Sequence, residues 1–109
     1  MEIAKTEYKR CDVLKIAGRI DSFTAPRLSE TISEATTNGK FSLILDFSDV
    51  EYVSSAGLRV MIDAQKICKG KGEVVLVKVP QRIYETLDLA GFVPLFKFFD
   101  DPTKAVAYF

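Results

Sequence analysis

Residues 41–60, FSLILDFSDVEYVSSAGLRV, carry an apolar run, a short acidic segment and a serine pair in that order. Phe41, Leu43, Ile44, Leu45 and Phe47 form a run too short to cross a membrane and typical of a strand buried on both faces of an α/β sheet. Ser48 to Val53 reads as a connecting loop, and a helix is expected from Ala56 to about Lys69. Val60, Met61, Ala64, Ile67 and Cys68 recur at helical spacing and give that helix one apolar stripe. Lys69-Gly70-Lys71-Gly72 closes it, with cations set against the negative end of the helix dipole. Open α/β sheets gather function outside the carboxyl ends of their strands, and Ser54 and Ser55 fall there, at the start of the helix.

Toward the N-terminus, Glu2 to Tyr8 and Cys11 to Ala17 read as two antiparallel strands joined at Lys9-Arg10, with Val13, Leu14 and Ile16 as apolar positions and Gly18 as the stop. In GRIDSFTAPRLSETISEATTNG, residues 18–39, Thr24 or Ser22 suits a helix cap, Pro26 its first turn and Gly39 its end. Leu28, Ile32 and Ala35 then share one face. Toward the C-terminus, Glu73 to Val79 is a β-branched run stopped by Pro80. Pro80 to Ala90 is expected to be a helix with Ile83, Leu87 and Ala90 inward, and Leu95 to Phe99 a final strand. Asp100 or Asp101 with Pro102 opens a last short helix through Val106. The order β-β-α-β-α-β-α-β-α implies an α/β fold: one domain over residues 1–109, a mixed sheet with an N-terminal antiparallel hairpin, and about four helices.

The chain has 109 residues, room for one hydrophobic core and no second domain. Lys plus Arg and Asp plus Glu stand at 15 each, so net charge gives no pull toward nucleic acid or an anionic membrane. Lys66, Lys69 and Lys71 read as a solvated helix end, because no aromatic interleaves them and no glycine loop cradles phosphate there. Cys11 and Cys68 form no CxxC pattern and are expected as reduced core thiols of a cytoplasmic protein. No signal-type segment and no run approaching about twenty apolar residues is present. Histidine is absent altogether, which removes the usual base for a serine nucleophile and the commonest metal ligand. No catalytic residue, metal or cofactor is expected.

Three chemistries could use a serine at this turn. Acyl transfer would need a G-x-S-x-G elbow with a histidine; the chain has V-S-S-A-G, leaving only a serine–lysine dyad open. Phosphate loops of the G-x-x-x-x-G-K-[ST] or G-x-G-x-x-G kind are also missing, so any nucleotide affinity at the helix start would be weak. The third is phosphorylation of the serine itself, which the helix N-terminus tolerates and a docked partner would not. Gly57 is expected to let another surface come close. Simple helix capping by the serine pair is the competing explanation.

At YVSSAGLRV the sequence resembles the STAS domain of bacterial anti-sigma-factor antagonists, whose turn reads D-S-[ST/A]-G-L. GRIDSFTAPRL is similar to the family's early block, FSLILDFSDVEYVSSAGL to its central block and LDLAGFVPLFKFF to its late one, together spanning nearly the whole chain. The resemblance implies a non-enzymatic partner switch with Ser55 as phosphoacceptor. Unphosphorylated protein would bind an anti-sigma factor with serine kinase activity, phosphorylation would release it, and a PP2C-type phosphatase would reset it. It further implies a monomer facing a dimeric kinase, with no direct nucleic-acid or membrane partner. Asp21 is carried over as a partner contact, its alternative being to cap the turn or helix that follows, and Ser54, Ser55, Ala56 and Gly57 complete the implied binding turn. Two residues depart from the pattern. Ser54 replaces the usual aspartate, weakening kinase recognition or making Ser54 a second acceptor, and Pro94 interrupts the late block. The alternative function is a kinase-independent STAS adaptor or ligand-sensing module in which Ser55 only caps the helix.

Overall fold

A computed structural model describes residues Met1–Phe109. In chain order the elements are β1 (Glu2–Glu7), β2 (Asp12–Ile20), α1 (Ala25–Thr37), β3 (Leu43–Val53), α2 (Ser55–Cys68), β4 (Val74–Val77), α3 (Gln81–Leu89), a 3-10 turn (Val93–Leu95), β5 (Lys97–Phe99) and α4 (Pro102–Tyr108). The strands lie in sequence order in one sheet; β1 runs antiparallel to β2, and every later pair is parallel. The expected mixed sheet, N-terminal hairpin and four helices are all present.

Alternation along the strands divides the core. Leu14, Ile16, Leu43, Leu45, Phe47, Val74 and Leu76 face one side, where α1, α2 and α3 lay Leu28, Ile32, Met61, Ala64, Ile83 and Leu87 against them. On the other side Cys11, Val13, Ile44, Val75 and Val77 meet Ala105 of α4. The expected run is therefore buried from both sides over Leu43–Phe47, while Phe41 precedes the strand and is half-buried, and each fully buried Leu or Ile stabilises by roughly 2 kcal/mol. Both cysteines are free and buried.

Several boundaries differ from the sequence reading, each for a physical reason. Gly18 does not stop β2. It takes φ +99, beside a shift in the β2–β3 register, and the strand resumes to Ile20. Ser48 to Val53 is correspondingly not a loop, because Asp49, Val50, Tyr52 and Val53 pair with Ala17, Gly18, Arg19 and Ile20. The shifts stretch the inward period, so Phe47, Val50 and Val53 are buried three residues apart and the alternation that betrays a strand disappears. The strand at 73–79 shrinks to Val74–Val77, since Lys78 turns to φ 52. Leu95 belongs to the 3-10 turn containing Pro94, where a fixed φ is welcome, so β5 starts only at Lys97. Ile67 and Ala90 are exposed, although helical spacing placed them inward.

Two polar groups lock the layers. Gln65 of α2 accepts from Val74 N at 2.7 Å and donates to the Val74 and Leu95 carbonyls at 3.0 and 2.8 Å, stitching the helix to β4 and the 3-10 turn. At the same amino-terminal end of the parallel strands, two positions from Val74 across Leu43, buried Asp12 receives Lys40 Nζ at 2.8 Å, and Lys40 also donates to the Tyr8 carbonyl at 2.6 Å. That pair ties the β1–β2 turn to the segment entering β3.

Candidate functional site

The carboxyl ends of β2 and β3 meet at the serine turn. Ser54 N donates to the Ile20 carbonyl at 2.8 Å, so the end of one strand fixes the start of the helix that follows the other. Ser54 itself has extended backbone (φ −83, ψ 173), and its Oγ accepts from Gly57 N at 3.2 Å. This is the geometry of an N-cap, and it satisfies one of the otherwise orphaned amides of the first turn. Helix α2 therefore begins at Ser55, one residue before the expected Ala56.

The two serines divide the roles that the sequence left entangled. Ser54 is half-buried and committed to the cap, whereas Ser55 is exposed and its hydroxyl makes no hydrogen bond. Ala56 is half-buried and packs against the core. Gly57 is buried, and the surface that approaches it is the chain's own: a Cβ there would lie 2.7 Å from Ile20 Cγ2 and 3.0 Å from Val53 Cγ1. Its missing side chain lets α2 sit directly on the strand ends.

Asp21 follows Ile20 immediately and organises the β2–α1 turn. Its Oδ1 accepts from Phe23 N at 2.9 Å and Thr24 N at 3.1 Å. The Thr24 hydroxyl accepts from Asp21 N and donates to the Arg19 carbonyl, both at 2.8 Å, and makes no cap bond to α1 itself. Bonds from the Thr24 amide first, and then the Phe23 amide, hold the Asp21 carboxyl below its usual range. Capping the turn is thus a role Asp21 visibly performs.

Beside Ser55 runs a shallow groove of about 460 Å³ between α2 and the end of α3, lined by Ser55, Leu58, Arg59, Ile62, Ala90 and Phe92 among others. Exposed side chains outside its lining were not singled out by the sequence reading. Phe23 and Leu89 are each 91% exposed, and the Arg19 guanidinium lies 4.3 Å over the Tyr52 ring. Phe23 was recognisable as a lone aromatic inside a polar turn; Leu89 was recognisable as an apolar residue off the Ile83–Leu87 stripe.

The sequence pattern of the STAS domain matches residues 2–105. The chain belongs to the STAS domain family. An anti-sigma-B factor antagonist of Listeria monocytogenes is 28% identical over 92 residues, covering 84% of this STAS domain and 80% of the relative. Among solved structures, the anti-sigma factor antagonist SpoIIAA in its unphosphorylated form superposes with a TM-score of 0.86 at 14% identity, covering 98% of this chain and 95% of that one. The Bacillus cell fate determinant SpoIIAA in the phosphorylated form superposes at 0.78 and 15% identity, covering 98% of each chain. These superpositions establish the shared STAS fold. No helix of the domain is long and apolar enough to cross a membrane.

Proposed function

We propose that this STAS domain is an anti-sigma-factor antagonist that works by partner switching at Ser55. The observation that carries the reading is the pair of serines doing different things: Ser54 holds the helix, and Ser55 is left with an exposed, unbonded hydroxyl at its first position. The names of the relatives supply the partner class, an anti-sigma factor, and the two solved forms of SpoIIAA show that such a protein exists with and without phosphate.

In the unmodified state the strand ends, Asp21 turn and α2 groove present a surface to an anti-sigma factor that is also a serine kinase. The γ-phosphoryl group of ATP passes to Ser55 Oγ, with ADP leaving and the hydroxyl proton released. The product carries about −1.5 to −2 charges at neutral pH, which the amides and dipole of α2 accommodate without unfolding it. The partner faces that charge across a formerly neutral contact and dissociates. A PP2C-type phosphatase restores the hydroxyl. The domain acts in the cytoplasm as a regulator and performs no catalysis of its own. Ser54, already bonded to Gly57 N, is the poorer acceptor, and it, not Ser55, caps the helix; a kinase-independent adaptor would leave Ser55 unmodified.

Incubation with the cognate kinase and ATP, followed by intact-mass and peptide analysis, should place one phosphate on Ser55. Ser55→Ala should abolish it and Ser54→Ala should not. Ser55→Asp should weaken capture of the anti-sigma factor at least tenfold. Modification surviving in Ser55→Ala, or undiminished binding by both the aspartate variant and the phosphorylated protein, would falsify the assignment.

A further inference from the structure

We propose that Arg59 is the intrachain partner of the Ser55 phosphate, so that modification closes an ion pair along α2 and draws the guanidinium toward the N-terminal end of the groove. This rests on the phosphorylation of Ser55 proposed above. Ser55 and Arg59 are four residues apart on one helix and line the same groove, a spacing that brings side chains within about 5–6 Å at Cβ. An acid N-terminal to a base at this spacing is the favourable order, because both charges also oppose the helix dipole.

The guanidinium is free to respond. Arg19 lies over Tyr52, Arg27 donates to the Met1 carbonyl and Arg82 to the Glu51 carbonyl, but Arg59 is exposed and has neither hydrogen bond nor ion pair. Asp63, the next acid along the groove, stands C-terminal to Arg59 in the unfavourable order and is not paired with it. Ser54 adds no carboxylate that would compete for the cation at the first turn. Phosphate oxygens and a guanidinium match in a bidentate geometry, and the phosphate offers it with nearly twice the charge of the Asp63 carboxylate. The pair would give the modified form a feature of its own: a cation withdrawn from the groove rim, as well as a new anion.

The test needs no kinase. Phosphoserine is installed at position 55 during translation, and its second ionisation, ordinarily near pH 6, is followed by phosphorus NMR in wild type, Arg59→Gln, Arg59→Lys and Lys66→Gln. The groups facing the phosphate along the groove are Arg59, Asp63 and Lys66. Wild type should titrate roughly half a pH unit below Arg59→Gln, the gap shrinking in high salt, with Arg59→Lys between them and Lys66→Gln near wild type. Coincident titrations of wild type and Arg59→Gln, or a shift that follows Lys66, overturn the pairing. A pull-down of the same phosphoprotein with the anti-sigma factor separates the two ideas. Retained binding there defeats the switch, whatever the titration shows, while a normal release with coincident titrations defeats only the ion pair.

Discussion

Gly57 is the residue on which the turn's geometry depends. A methyl group there would press on Ile20 Cγ2, Val53 Cγ1 and the Ile20 carbonyl, at 2.7, 3.0 and 3.2 Å. None of these is the tip of a flexible side chain, and the Ile20 carbonyl is simultaneously held by Ser54 N. Alanine would gain about 1 kcal/mol of helix propensity, against an overpacking cost of about 1–3 kcal/mol. Gly57→Ala should therefore lose about 1 kcal/mol net in urea unfolding with an unchanged slope, and should displace the serine turn enough to reduce partner affinity. At this scale the sequence was most legible around Ser55. The turn motif pointed to Ser54 and Ser55 together, and their different bonding was not legible there, because both hydroxyls are chemically competent to cap a helix. For Asp21 the sequence offered two roles, and the bonds to Phe23 N and Thr24 N establish one of them.

The elements show where periodicity carries information and where it fails. The Leu28, Ile32 and Ala35 stripe and the doubly buried Leu43–Leu45 run are regular, and both were readable. The distal half of β3 was not, because register shifts opposite Ala17 to Arg19 change the inward spacing from two to three, and an acidic stretch such as Ser48-Asp49-Val50-Glu51 then looks like a loop. Ile67 and Ala90 fit a helical stripe in sequence, but Met61, Ala64 and Cys68 are the α2 residues turned to the core, with Ile67 beside that stripe, and Ala90 is the cap residue after α3 ends, so spacing alone put them inside. The β2–α1 turn adds a pH response of its own. The Asp21 carboxyl titrates below its ordinary 3.8 because the Thr24 and Phe23 amides favour the charged form. A depressed value stabilises the fold above the unfolded pKa, and the contribution disappears as pH falls through the folded one. Thermal midpoints taken from about pH 5 to pH 2 should fall more steeply in wild type than in Asp21→Asn, which keeps the acceptor oxygen without the charge.

For the molecule as a whole, Asp12 and the serine turn mark opposite ends of the same strands, roughly 25 Å apart at about 3.3 Å per residue. The Asp12 side chain is fully buried; Oδ1 is bonded to Lys40, and Oδ2 has no hydrogen-bond partner and only Lys5 at 3.9 Å. Lys40→Met would leave that carboxylate without its closest cation. Because Lys40 keeps a quarter of its side chain in water and Lys5 remains, the loss should be about 2–3 kcal/mol by calorimetry, short of the largest buried-pair effects. Phosphorylation of Ser55 and capture of the anti-sigma factor should proceed as in wild type when assayed well below the melting temperature. The side chains most open to a partner, among them Phe23, Tyr52, Ser55, Arg59 and Leu89, take no part in either buried cluster. Allegiance is thereby uncoupled from folding. Substitutions at those few positions can retune which partner the proposed switch answers while the interior stays unchanged.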